Sequence, residues 1–93
     1  MTKPLDMGVF LTGMLTGAHA TRERHISQAK TVQAAIFNRW RLDNPWTWQR
    51  KHVVWFLAHE IKDTAPATRY YYQLTVSLIA LRMAKSWFGK PIA

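Results

Sequence analysis

Three sets of side chains along this sequence have the chemistry to hold a polyanion. The first is Arg22, Arg24 and Lys30, extended by Arg39 and Arg41. The second is the adjacent pair Arg50 and Lys51, and the third is Thr68, Arg69 and Tyr72. Guanidinium and ammonium groups neutralise phosphates and release their counterions, while hydroxyls add hydrogen bonds that carry no sequence preference. Thr68, Arg69 and Tyr72 stand at the expected opening of a helix, where unpaired N–H groups and the helix dipole favour an anion. Arg50 and Lys51 occupy a first helical turn against the macrodipole preference, which suggests an external anion as their partner. A solvated basic face is the plain alternative for each set. Trp46 and Trp48 flank Thr47 beside Arg50, and exposed rings there can stack on unpaired bases. The preferred reading for both is a lid on the core or a staple on a helix start.

Composition agrees with the polyanion reading. Thirteen Lys+Arg against five Asp+Glu give a formal charge of +8. Such an excess attracts nucleic acid first, and an acidic protein or an anionic membrane surface as alternatives. Catalysis and metal binding find little support. His52 and His59 lie too far apart on a helical face to share an ion, and His19 and His25 lack a carboxylate at ligand spacing. His19-Ala20-Thr21-Arg22 spells His-x-x-Arg without the rest of any catalytic constellation. Gly8, Gly13 and Gly17 precede no Lys-Ser/Thr, so they make no phosphate loop. No cysteine is present to build a disulfide or a thiolate site. No apolar run approaches the ~20 residues that span a bilayer, so a cytoplasmic location is the default expectation.

Four apolar segments must position these groups. The first runs from about Leu5 to Gly17, with Asp6 as a candidate cap, and Val9, Phe10 and Met14 on one side, where Leu11 and Leu15 are further candidates. Ser27 is placed as the cap of a second helix reaching about Leu42, with Ala29, Val32, Ile36 and Trp40 at the three- and four-residue steps of one face. Asp43-Asn44-Pro45 closes it as a turn. Thr47 is placed as the cap of a third helix to about Lys62, with Val53 or Val54, Leu57 and Ile61 inward. Val53 to Leu57 is β-prone in isolation, but helix-like flanks outweigh that preference. Pro66 opens a fourth helix, expected to be the longest at about 22 residues. Its inner face is read as Tyr71, Leu74, Leu78, Leu81 and Lys85, with Thr75, Ile79 and Met83 beside it and Gly89 and Pro91 as the stop. Trp40, Trp55 and Trp87 are assigned to packing.

The order of these pieces resembles the core-binding, SAM-like N-terminal domain of the tyrosine recombinases, the phage-integrase family. Thr31 to Trp40 is similar to its Ser/Thr-led helix, and His52 to Ala58 to its helix ending in Phe-Leu. Ala65 to Leu74, with Leu78, Leu81 and Arg82 further on, is similar to its last helix. The likeness covers about residues 27–87 and rests on degenerate helical patterns. It implies a domain that clamps duplex DNA, laying helices across the major groove with basic side chains on phosphates. The family's Arg, His-x-x-Arg and nucleophilic Tyr belong to a separate following domain that these 93 residues do not contain. The resemblance therefore implies the DNA-clamping half without the enzyme, as a fragment or as a free-standing product of a mobile element.

The sequence is thus read as one all-α domain over residues 1–93, a compact four-helix bundle with a long last helix of SAM-like core-binding type. Double-stranded DNA is the expected partner, with a host or recombination-complex protein beside it, and neither cofactor, metal nor membrane is expected. The alternative is a small basic interaction module, of phage or plasmid origin, that docks on a host protein. RNA is a weaker reading, because no aromatic strand motif of the RNP type is present.

Overall fold

Four helices enclose one apolar core in the computed structural model, which describes residues 5–15, 17–85 and Trp87. They are α1 (Met7–Phe10), α2 (His19–Trp40), α3 (Arg50–Trp55, continued by a π-helical turn Phe56–Glu60) and α4 (Pro66–Arg82). No β-strand forms among the described residues, so the β-prone Val53 to Leu57 block is helical and the all-α expectation holds.

α2 is the longest element, with 22 residues. At 1.5 Å per residue it is about 33 Å long, and the molecule measures 34 Å in its greatest extent. Ser27 is not its cap. The helix begins after Ala18, about two turns earlier, and so absorbs the basic stretch expected to lead into it. That stretch contains no Gly or Pro and is rich in the helix formers Ala, Arg and Glu. Gly13 and Gly17, at φ +88° and +91°, turn the chain between α1 and α2, which limits α1 to a single turn. Asp6 caps that turn as expected, accepting from the N–H groups of Gly8 and Val9. Val9 faces solvent, while Met7, Phe10 and Leu11 enter the core.

The expected α2 stripe is correct, with Ala29, Val32 and Ile36 fully buried and Trp40 half-buried beside them. The helix stops at Arg41, whose left-handed backbone (φ 59°) returns its N–H to the Phe37 carbonyl. Asn44 then caps a 3-10 turn, Pro45–Thr47, through the Trp46 N–H. Thr47 is not the cap of α3, because its hydroxyl donates to the Asn44 carbonyl. Gln49 takes that place, and its N–H donates to His52 Nδ1 at 2.8 Å. Along α3 the buried residues are Val53, Phe56 and, just beyond the π turn, Ile61, whereas Leu57 is only half-buried. The i→i+5 bonding of the π turn brings residues five apart towards one side, so Phe56 and Ile61 share the core face.

α4 has 17 residues and is shorter than expected. Its end is a Schellman cap: Ala84 is left-handed (φ 56°), its N–H bonds the Leu81 carbonyl and the Lys85 N–H bonds the Ala80 carbonyl. Gly89 and Pro91, the expected stops, lie outside the described residues. The inner face also differs. Thr75, Val76, Ile79, Ala80 and Met83 are buried, while Tyr71, Leu74, Leu81 and Lys85 are exposed. The helix is rotated by about 100°, one residue step, from the expected stripe.

Polar groups inside this core are all partnered among the described residues. Gln33 Nε2 donates to the carbonyls of Leu5 (2.8 Å) and Asp43 (2.7 Å), tying two distant segments to α2. Thr75 Oγ1 lies 2.8 Å from His25 Nδ1 and 2.9 Å from Gln28 Oε1. With the hydroxyl proton on Gln28 or on the Tyr71 carbonyl, the His25 contact is made by an Nδ1–H donor, which the neutral Nδ1–H tautomer and the imidazolium both supply. Burial, and then the neighbouring Arg24 charge, hold His25 below the ordinary histidine value of 6.5. Burial, and then Lys51, do the same to His52.

Two expectations follow from these contacts. Because both histidines bind protons more readily in the unfolded chain, stability is full above about pH 6.5 and falls as acid is added through the lower folded-state values. The melting temperature of the native protein therefore drops between about pH 7 and about pH 5, and a His25→Asn/His52→Asn double variant shows a flatter profile. Gln33→Leu leaves two half-buried carbonyls without their donor and lowers the urea-unfolding free energy by about 1–3 kcal/mol. A Gln33→Leu variant as stable as the native protein would mean that water replaces the amide.

Candidate nucleic-acid interface

The thirteen basic side chains of the sequence meet few acids. Among the described residues, no lysine or arginine lies within salt-bridge distance of a carboxylate, and the one contact of that type is His19 to Glu23 at 4.0 Å. Aromatic rings hold several arginines instead. Arg24 lies over Tyr71 (4.6 Å to the ring centre), Arg39 over Trp40 and Trp55, and Arg41 over Phe37. Arg82 lies over Phe10 and Trp46 and donates through Nε to the Phe10 carbonyl. A guanidinium held against a ring rather than by a carboxylate keeps N–H donors for an external oxyanion.

One open groove, of about 500 Å³, lies between α2 and the start of α4. Arg24, Ser27 and Gln28 line it from α2, and Ala67, Thr68 and Tyr71 from α4. The three- and four-residue steps within each set are helical, so both helices present one side to it. No side chain caps α4, and Pro66 brings no N–H, so the Ala67 and Thr68 N–H groups have no intrahelical acceptor at this end. The groove therefore offers a guanidinium, three hydroxyls, an amide and backbone donors, with no carboxylate in its wall.

The groove joins Arg24 and Thr68, which belong to different sets in the sequence. Other expected pairings do not form. Arg22 and Arg24 are about 200° apart around α2, so they make no common phosphate track; Lys30 lies nearer the Arg22 side, and all three are exposed. Arg69 is exposed but turned about 100° from Thr68. Arg50 donates through Nε to the Trp87 carbonyl at 2.9 Å, a structural partner that explains its place at a helix start, and Lys51 beside it is exposed. Tyr72 is half-buried with its ring against Phe56 (5.4 Å), so it packs rather than facing a ligand. Trp48 is buried and donates to the Leu42 carbonyl, while Trp46 is exposed with its edge against Phe10. Ser27, Gln28, Ala67 and Tyr71 are the groove residues that sequence reasoning did not assign to a site. Tyr71 fell on the wrong stripe of α4, and nothing local marks a pairing of residues 47 positions apart with Arg24.

The described residues hold no group of His and acidic side chains that could bind a metal ion, and none of their helices is long and apolar enough to cross a membrane. The sequence matches no protein-family model, and neither a curated protein nor a solved structure matches the chain.

The contrasting positions of the tyrosines can be measured. Tyr72→Ala removes a ring from the edge of the core and lowers stability by about 2–3 kcal/mol, somewhat below the loss for a fully buried aromatic. Tyr70→Ala, at an exposed position, stays within about 0.5 kcal/mol of the native protein in the same denaturation experiment.

Proposed function

We propose that this chain is a non-catalytic DNA-binding protein that grips the backbone of double-stranded DNA, with a phosphate seated in the groove between α2 and α4. The observation that carries this reading is the groove itself. Arg24 is held in place by Tyr71 and lies across from Thr68 and the uncapped start of α4, with no acidic residue lining the space. A phosphate there meets a fixed guanidinium, hydroxyl donors and the positive end of a helix dipole together.

The net charge of +8 supports the same reading, because basic side chains unpaired in the folded protein neutralise phosphates without first breaking an ion pair. The resemblance of residues 27–87 to the core-binding domains of tyrosine recombinases favours duplex DNA over single strands and points to a mobile element. The strand motif that stacks RNA bases has no counterpart among the described helices. Arg69, Lys51, Arg22 and Lys30 supply further charge around the molecule and strengthen attraction without fixing register.

Fluorescence anisotropy with a labelled random duplex tests the reading. Affinity falls by about tenfold or more between about 50 and about 200 mM salt. Arg24→Ala weakens binding about tenfold and reduces the slope of log affinity against log salt by about one. The same variant loses no more than about 1 kcal/mol of stability, the worth of an exposed cation–π contact. Duplex binding indifferent to salt, or unaffected by Arg24→Ala, would rule the groove out.

A further inference from the structure

α4 is apolar on two sides, and only one of them faces the core. Its outward side carries Tyr70 (57% exposed), Leu74 (36%) and Leu81 (44%), with Leu78 half-buried alongside. The 4-4-3 spacing of these residues makes one stripe, about 16 Å long. Exposed Gln73 and Ser77 border it, so the stripe is a second, narrower apolar side of the helix, of the kind that marks a contact surface. The charge around the stripe indicates what covers it. α4 contains no acidic residue, carries Arg69 and Arg82, and is followed by Lys85. Arg24 lies over Tyr71 at the end of the stripe nearer the groove.

A second copy of this chain suits the stripe poorly. Two copies each carrying +8 repel one another. In an antiparallel pairing of the stripes, the Arg69 end of one helix meets the Arg82 and Lys85 end of the other. We infer that the outer face of α4 is a docking surface for an acidic amphipathic helix of another protein. Leucine-type side chains of that helix, at three- and four-residue steps, cover Tyr70, Leu74 and Leu81. Its flanking carboxylates meet Arg24, Arg69 and Lys85. This is the helix-on-groove mode of recognition, in which apolar anchors give affinity and the charged flanks choose the partner. The apolar anchors of the surface lie outside the phosphate groove, although Arg24 borders both, so the inference does not rest on the DNA reading.

A synthetic helical peptide of about five turns, with leucines on one stripe and glutamates elsewhere, is the probe. It is titrated into the full chain while amide chemical shifts are followed, beside a peptide with lysine in place of every glutamate. The acidic peptide binds, with shifts along α4 centred on Leu74 and Leu81, and the basic peptide does not. Leu74→Ser/Leu81→Ser weakens the acidic peptide by about tenfold or more, leaving the chain folded with its melting temperature lowered by only a few degrees and its duplex affinity unchanged. Equal binding of the peptide to the native and double-variant chains overturns the inference, since charge alone then accounts for it. So does a native dimer in sedimentation that the double variant abolishes, which assigns the face to a second copy. Native binding to vesicles containing phosphatidylserine, lost in the double variant without any peptide binding, assigns it to lipid and equally overturns it.

Discussion

Thr75 Oγ1 sits where the two long helices meet, with hydrogen-bond partners on both of them. It accepts from His25 Nδ1 and has Gln28 Oε1 and the Tyr71 carbonyl as acceptors for its own proton. A buried hydroxyl missing one of these partners is costly, so the network admits few relative positions of α2 and α4. The rest of the molecule follows from that crossing. Fixing Thr75 inward sets the rotation of α4, which buries Val76, Ile79 and Met83 and turns Tyr70, Leu74 and Leu81 outward. It also sets Tyr71 one turn from Thr75 under Arg24, and opens the groove between Ser27 and Thr68.

Much of the fold was legible in the sequence, and the failures have particular causes. The α2 stripe of Ala29, Val32 and Ile36, the Asp6 cap, the Asp43-Asn44-Pro45 turn and the Pro66 start are local signals, and local physics decided them. The rotation of α4 was not local. Thr75, Val76, Ile79 and Met83 repeat with the same helical period as Tyr71, Leu74, Leu78 and Leu81, and the second set is larger and more apolar. A threonine's partners across the core chose between the two, and periodicity carries no information about those partners. The end of α4 was hidden for another reason. A Schellman cap is read from glycine, but here Ala84 takes the left-handed position. Ser27 looked like a cap because serine caps are common, yet nothing in residues 19–26 interrupts a helix.

The candidate site was legible in composition and only partly in place. Arg24 and Thr68 were read separately as candidates for phosphate contact, and the structure sets them on one groove. Tyr72 and Arg50 were grouped with them by sequence proximity, but each has a structural contact of its own, with Phe56 and with the Trp87 carbonyl. Basic residues close together in a chain tend to separate around a helix, because two successive positions differ by about 100°. Spatial clusters of charge come from helix pairing instead. That is why aromatic rings, rather than carboxylates, organise the arginines whose placement the structure defines.

The single amide of Gln33 has a consequence in time. Its two protons close contacts to backbone 28 and 10 residues away, at Leu5 and Asp43. Neither contact exists until α2 has formed and turned Gln33 inward, so the N-terminal arm and the turn after α2 are late arrivals in assembly. The two segments also meet directly, where Phe10 packs against Trp46 and Arg82 lies over both rings. A swing of Gln33 alone therefore frees neither segment, and arm and turn are held together as one packed unit on the side of α2.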